Sequence, residues 1–419
     1  MKLYKKALLT LFITFIAGPA HADRRTEEVY SRYKDQVLQV KILDRSSNTK
    51  SGIGSGFVVS TDGFIVTNYH VVSQLVHRPE SYRAEYLKED GSKGDLTLIT
   101  LDVVHDLALL KADDLRENYF ELERKVPVKG ESLFSLGNPY DLGLTIVEGT
   151  YNGLLEKSLY EKIHFTGSIN PGMSGGPALN RKGRVVGVNV STAGNQVSFL
   201  VPVKYVIAML EGALDEDAPV ETPVETVRRQ LLHNQARYMD DLLGDSFETV
   251  PMGRYLLPAE VASYIKCWGN TNKKEDLFYE GIYQSCSAED DIYLTNRLSS
   301  GAIRFRHDLF TTGKLGPLRF FGLLEKRFQM PHMSLGGDEE SVASYRCHAD
   351  FINNGSLEFK AVFCMRKYKK LADLYDSFMT LMTLSSGSEA LHSTLVLSGV
   401  SYENAANFNK SFIEAIRWK

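Results

Sequence analysis

The sequence predicts a chain in two parts: an all-β N-terminal half, folded as a barrel or a sandwich, and an α+β C-terminal half. Three observations carry this. Short apolar or alternating runs follow one another from Gly54 to Val203, separated by turn signals such as Asp62-Gly63 and Asp90-Gly91, which is the texture of many short strands. The stretch DEDAPVETPVET, Asp215 to Thr226, then combines acids with Pro219 and Pro223, as stiff solvated linkers do. Beyond it, helical spacing alternates with strand-like runs,. A chain of 419 residues is long enough for two domains,.

In order along the chain, Lys2, Lys5 and Lys6 precede an apolar run from Ala7 to Ala17, and Ala20-His21-Ala22 follows. This predicts a signal peptide, residues 1–22, cleaved after Ala22. The run is shorter than the roughly 20 residues a spanning helix needs. Export to the periplasm or beyond the cell follows, with no later segment apolar enough to span a membrane. Glu27 to Val37 reads as a short helix. Strands are predicted over Gly54 to Val59, Phe64 to Thr67, Leu96 to Leu101, Leu107 to Lys111 and Ser132 to Leu136. More follow over Thr145 to Tyr151, Lys162 to Thr166, Arg184 to Ser191 and Val197 to Val203, with a hairpin turn at Arg181-Lys182-Gly183,. After the linker, 215–226, the spacing of Val224, Val227, Leu231, Tyr238 and Leu242 predicts a helix, as do Leu371 to Leu384 and Tyr402 to Trp418, the last capped by Ser401,. Ala302 to Phe310, Leu318 to Leu324 and Leu357 to Met365 read as strands. The domains expected are 23–214 and 227–419.

The composition, 43% hydrophobic and 24% charged, is that of a globular protein,. Removal of the three leader lysines takes the formal net charge from −4 to about −7, which offers no basic footprint for nucleic acid. Cys267, Cys286, Cys347 and Cys364 all lie in the C-terminal half. In an oxidising compartment an even number favours two disulfides; three pairings exist, and sequence neighbours pair most simply. Neither pair has the spacing of a zinc site, and the acidic run Glu289-Asp290-Asp291 lacks calcium-loop spacing and reads as a solvated loop,. No metal and no cofactor is predicted. His105 is expected at the surface, and His77 and His164 have no partner pattern.

The densest chemistry is in INPGMSGGPALN, residues 169–180, where Ser174 stands among Gly172, Gly175 and Gly176. A serine hydroxyl needs a base, and the base needs a third group to fix its tautomer. His70, closing TDGFIVTNYHVV at a strand end, and Asp106, opening DLALLKA, stand in similarly marked places. Taken together, GSGFVVSTDGFIVTNYHVV, HDLALLKA and INPGMSGGPALNRKGRVVGVNVS resemble the protease domain of the HtrA (Deg) family of trypsin-fold serine endopeptidases, over roughly residues 28–205.

That resemblance implies a double β-barrel with Ser174 as nucleophile, His70 as general base and Asp106 as its orienting carboxylate. It implies an oxyanion hole from the N–H groups of Gly172 and Ser174. Ser168, six residues before the nucleophile, would floor the primary pocket, and Val190, Ser191 and Thr192 would pair with substrate backbone. Without a carboxylate at Ser168, small or apolar residues are expected before the scissile bond. Met173 stands where the family usually has Asn, which suggests a narrowed pocket entrance or a change in when the loop becomes active. Polypeptides are the expected substrates. Relatives often form trimers, but the segment between Ala22 and Glu27 supplies little of the N-terminal arm that such contacts use, so homo-oligomerisation stays open. The PDZ domains usual after such a protease are not evident. The region 227–419 resembles nothing nameable, and presentation of substrates, coverage of the site and binding of another envelope protein all stay open. The alternative to an enzyme is a chaperone-like or binding protein on the same scaffold with a latent, misaligned triad.

Overall fold

The computed structural model describes residues 25–116, 118–194, 196–214, 221–244, 246–272, 278–329, 335–384 and 387–419. The expected signal segment and the first half of the expected linker, residues 215–220, lie outside them. Helix α1 (Arg25–Tyr33) leads into a barrel of β1 (Val37–Asp44), β2 (Lys50–Val58), β3 (Phe64–Thr67), β4 (Tyr82–Leu87), β5 (Lys93–Asp102) and β6 (Leu107–Lys111), closed in the order β1-β2-β3-β6-β5-β4. Helix α2 (Tyr69–His77) sits between β3 and β4. A second barrel contains β7 (Ser132–Gly137), β8 (Thr145–Leu154), β9 (Ile163–Phe165), β10 (Pro177–Leu179), β11 (Val185–Gly194) and β12 (Val197–Pro202), closed in the order β10-β11-β12-β9-β8-β7. Closure removes the exposed edges that an open sheet would carry.

The strand LALLK of β6 shows why these runs are apolar throughout. Ala108 and Leu110 pack inside the first barrel with Leu38, Val40 and Ile42. Leu107 and Leu109 point the other way, into a seam shared with Phe134, Leu136 and Val188 of the second barrel. Successive side chains alternate faces, and here both faces are buried. That seam positions the two halves of the site.

Helix α3 (Val203–Ala213) follows the second barrel, and helix α4 (Pro223–Gly244) leads into the C-terminal half. There a small sheet pairs β13 (Thr249–Met252), β14 (Tyr255–Pro258) and, from the chain end, β24 (Arg417–Trp418). The main sheet has seven strands in the order β15-β16-β19-β23-β22-β21-β20: β15 (Ile265–Asn272), β16 (Glu280–Ala288), β19 (Ile303–Thr311), β20 (Arg346–Asn353), β21 (Glu358–Lys367), β22 (Tyr375–Thr383) and β23 (Glu389–Val400). A separate hairpin is formed by β17 (Ile292–Thr295) and β18 (Leu298–Ser300), and helices α5 (Pro317–Phe328) and α6 (Tyr402–Ala415) complete the half. Tyr238, Met239 and Leu242 of α4 and Phe408 and Phe412 of α6 cover one sheet face. Disulfides join Cys267 to Cys286 and Cys347 to Cys364, each between directly opposed residues of an outermost strand and its neighbour.

Two elements reverse their expected type. Leu318 to Leu324 belongs to helix α5, which starts at Pro317 and buries Phe320 and Leu324 four residues apart, the pattern of one helix face. Residues 375–383 form a strand, β22, buried on both faces, so its apolar run has no alternation to distinguish it from a helix. Glu27 to Val37 is helical only to Tyr33, because β1 starts at Val37. In the acidic run 289–291 the outer two residues, Glu289 and Asp291, are exposed, but the middle one departs from the solvated loop expected. Asp290 is buried, accepts from Ser158 Oγ at 2.6 Å and Leu159 N at 3.0 Å, and pairs with Lys162 at 2.6 Å. It thereby fastens the C-terminal half to the second barrel.

The first barrel is fastened as well. Val227 and Leu231 of α4, Ile292, Leu294 and Leu298 of the hairpin, and Tyr368 and Leu371 share one apolar cluster with the barrel's interior. Gln230 of α4 donates to Leu101 O at 2.7 Å and accepts from Val103 N at 2.8 Å, satisfying backbone groups where β5 ends.

Candidate active site

His70 lies in the first turn of α2, not at a strand end. The helix's early N–H groups have no intrahelical partner and need outside acceptors. Asp106 supplies them from the start of β6: its carbonyl accepts from Tyr69 N at 3.2 Å and its Oδ1 from His70 N at 2.8 Å. The remaining carboxylate oxygen, Oδ2, lies 2.6 Å from His70 Nδ1. Asp106 takes φ of +56° to do this, a conformation that Asp tolerates better than most residues, and Asn68 Nδ2 holds its carbonyl at 2.8 Å. A carboxylate on Nδ1 leaves Nε2 as the unprotonated nitrogen of a neutral ring. Burial pushes the His70 imidazole down, but the charge of Asp106 and its hydrogen bond outweigh this, and the net shift is upward,.

Ser174 comes from the second barrel. Residues 170–173 form a tight turn in which Met173 N donates to Asn170 O at 3.0 Å and Gly172 has φ of +97°. A side chain at Gly172 would meet Asn138 O at 2.5 Å, so both the backbone angle and the space demand glycine. Gly175, also at positive φ, lies against the Ser55 carbonyl and Thr67 Oγ1 with no room for a Cβ. Among the described residues, neither the Gly172 N–H nor the Ser174 N–H donates to a protein acceptor. The Pro171 carbonyl is engaged by Tyr140 N at 2.9 Å. The turn therefore presents two free donors beside a serine hydroxyl.

Ser174 Oγ donates to Val190 O at 3.4 Å, and no hydrogen bond among the described residues joins it to His70. The hydroxyl is thus parked against β11, and rotation about its Cα–Cβ bond is the motion by which it changes partner. Val190 sits at a bulge of β11. The strand pairs with β10 only as far as Val188, which leaves Ser191 and Thr192 on an unpaired, exposed edge. Ser168 is exposed in the segment before the turn, and Ile169 N donates to Ser198 Oγ at 3.2 Å. Met173 is not at a pocket entrance: its side chain is buried in the second barrel with Ile169, Phe165 and Leu200.

Several residues that sequence reasoning passed over support this geometry. Ser55, fully buried on β2, donates to Gly172 O at 2.7 Å and accepts from Asn138 N at 2.8 Å. Its own N–H donates to Ser174 O at 2.7 Å. Asp141 accepts from Gln39 Nε2 at 2.7 Å and from Lys50 Nζ, tying the 138–141 loop to the first barrel. The one available signal was Ser55's place inside the motif Gly54-Ser55-Gly56. From the C-terminal half, the Tyr293 ring stands edge-on to His70 with centroids 5.9 Å apart.

His105 is half-buried rather than superficial. It stacks on Tyr205 at 3.6 Å, and Asp102 Oδ2 lies 2.6 Å from its Nδ1. His77 is held neutral, its pKa lowered to about 4 by burial and by Lys370, and its Nε2 is 2.9 Å from the Tyr69 hydroxyl. Among the described residues no group of acids, histidines and cysteines is placed to hold a metal ion, and no helix is long and apolar enough to cross a membrane.

Residues 54–188 match the family model of the trypsin-like peptidase domain. The chain is 35% identical over 160 residues to a probable periplasmic serine endoprotease DegP-like of Chlamydia pneumoniae, covering 36% of this chain and 32% of that protein. The corresponding protein of Bartonella henselae is 34% identical over 189 residues, covering 42% and 36%. The chain thus spans about a third of the length of these relatives. Among solved structures, a serine endoprotease from Yersinia pestis aligns with a TM-score of 0.40 and 25% identity, over 46% of this chain and 67% of that one.

Proposed function

We propose that this chain, whose N-terminal half is an HtrA-like trypsin-fold domain, is an exported serine endopeptidase that cuts polypeptides through an acyl-enzyme on Ser174. The observation that carries the reading is the meeting of two parts of the sequence at the seam of the barrels. One is a half-buried His70–Asp106 pair at 2.6 Å, and the other is a glycine turn offering Ser174 with two N–H groups that have no protein acceptor among the described residues. In this reading Ser174 Oγ attacks the substrate carbonyl while His70 Nε2 takes its proton. Asp106 holds the ring and stabilises the imidazolium. The oxyanion accepts from Gly172 N and Ser174 N, each such donor being worth on the order of a hundredfold in rate. His70 returns the proton to the departing amine, and water then cleaves the ester by the reverse route.

Residues 23–214 form the protease domain in this proposal, 215–226 the linker and 227–419 an accessory domain. The Ala20-His21-Ala22 site and the periplasmic relatives support export to the periplasm or beyond,. The free edge at Val190, Ser191 and Thr192 takes substrate backbone as an added strand. Ser168, lacking charge, leaves the primary pocket to small or apolar side chains.

The test is labelling of the purified mature protein with a fluorophosphonate, with Ser174→Ala as control. Labelling at Ser174, together with cleavage of unfolded protein, is expected. A folded wild-type protein that never labels would replace the enzyme with a binding protein on a protease scaffold. Turnover of small esters without cleavage of unfolded protein would make it an esterase.

A further inference from the structure

A cavity of about 760 Å³ opens beside His70. Its lining comes from two sources: the first barrel, through β2 at Ser51–Ile53 and α2 at His70, Ser73 and Gln74, and the C-terminal half, through the β17–β18 hairpin at Tyr293–Leu298 and residues 338–341 and 368–371. No residue of the second barrel lines it. The cavity therefore belongs to the first barrel and the C-terminal half, away from Ser168 and the Val190–Thr192 edge, with His70 in its wall.

Its walls are built to receive an extended chain. Ser55 lies opposite Gln39 in the β1–β2 ladder, yet its N–H goes to Ser174 O. Ladder bonding in an antiparallel pair alternates, so Ile53, two residues earlier and opposite Lys41, also turns its N–H and C=O away from β1. Among the described residues no strand pairs with residues 50–56 of β2 on that side, since β3 pairs only with Phe57 and Val58. The facing wall is the hairpin. Tyr69 donates its hydroxyl to Leu294 O at 3.2 Å, Tyr293 meets His70 edge-on, and Asn296 and Arg297 stand exposed at the hairpin turn. Beyond it, the exposed pair Arg78–Glu340 at 3.1 Å and the contact of Lys370 with the His77 carbonyl at 3.4 Å bridge the two halves. The lining is mostly polar and of mixed charge, with apolar surface at Ile53, Val71, three tyrosines and three leucines. A volume within the range of ordinary ligand sites holds a short peptide stretch.

We infer that the C-terminal half is a working wall of the substrate cleft: its β17–β18 hairpin forms, with β2, the site for the polypeptide segment that follows the scissile bond. This rests on the endopeptidase reading. A chain laid along the Val190–Thr192 edge crosses Ser174, passes His70 and enters between Ile53 and Tyr293. The accessory domain thereby selects for substrates that are unfolded on the leaving-group side, because a folded segment does not fit between two fixed walls.

Two experiments test this. In a Ser174→Ala background, p-benzoylphenylalanine is placed at Asn296, and at exposed Tyr402, which does not line the cavity, and each protein is irradiated with reduced, carboxymethylated lactalbumin. Crosslinking at 296 well above that at 402 is expected; equal crosslinking overturns the inference. In the active protein, Asn296→Trp fills the cavity from an exposed turn position that folding tolerates. Lactalbumin cleavage is expected to fall by about tenfold or more, with p-nitrophenyl ester hydrolysis and fluorophosphonate labelling within about twofold of wild type. Cleavage that stays at the wild-type rate, or falls in step with ester hydrolysis, overturns it. Crosslinking at 296 without any fluorophosphonate labelling would sink the protease reading and keep the peptide site.

Discussion

Removing the Ser55 hydroxyl tests whether the oxyanion turn is held from the other barrel. Ser55 Oγ joins Gly172 O and Asn138 N at 2.7 and 2.8 Å and is fully buried. Ser55→Ala leaves one half-buried carbonyl and one buried N–H without that partner, each costing up to about 1–3 kcal/mol,. Allowing for some relaxation, about 2–4 kcal/mol is expected. For a unit the size of the two barrels this lowers the melting temperature by about 4–16 °C. The catalytic effect has a separate signature. Gly172 N is one of the two donors proposed for the oxyanion, and losing such a donor outright costs about 10²–10³ in kcat. A loosened one should cost about ten- to a hundredfold, with KM little changed because the contact forms only in the transition state. The assay is kcat and KM on an unfolded protein substrate at a temperature well below the variant's melting point. A lower melting temperature with unchanged kcat would make Ser55 purely structural and refute the link to the turn. No change in either would refute the bridging geometry itself.

In the proposed mechanism the His70–Asp106 pair sets the pH profile. A general base must be neutral, so kcat/KM should rise with pH through a midpoint above that of an ordinary histidine, since Asp106 outweighs burial,. Asp106→Asn removes the upward influence and leaves burial, so the midpoint moves down and the plateau falls by about ten-thousandfold. A midpoint that moves up would contradict the assignment. The disulfides close loops with sequence separations of 19 and 17 residues, worth about 3 kcal/mol each by chain entropy. A Cys267→Ser/Cys286→Ser variant should lose that much in urea unfolding followed at the C-terminal half. An unchanged midpoint would show that the staple adds nothing to stability.

Much of the first half was legible because its information is local. Turn dipeptides, short apolar runs and the glycine pattern around Ser174 each fix backbone conformation within a few residues. They give the barrel strands other than β1, β4 and β10, and bring three marked residues to attention. The same logic fails for β22, where burial on both faces erases the period that separates strand from helix,. It also fails for α2, where the helix begins at Tyr69 because Asp106, 36 residues from His70, supplies its first acceptors.

What the sequence determined by itself is therefore chemistry in short windows: which hydroxyl, imidazole and carboxylate stand in special places, and where glycine is needed. What only the tertiary structure decided is what faces them. Ser55 reaches Gly172 across 117 residues, Asp290 anchors to Lys162 across 128, and Tyr69 meets Leu294 across 225. Such contacts leave no periodic trace, because each depends on two surfaces packed by hydrophobic burial and not on the spacing of neighbours along the chain.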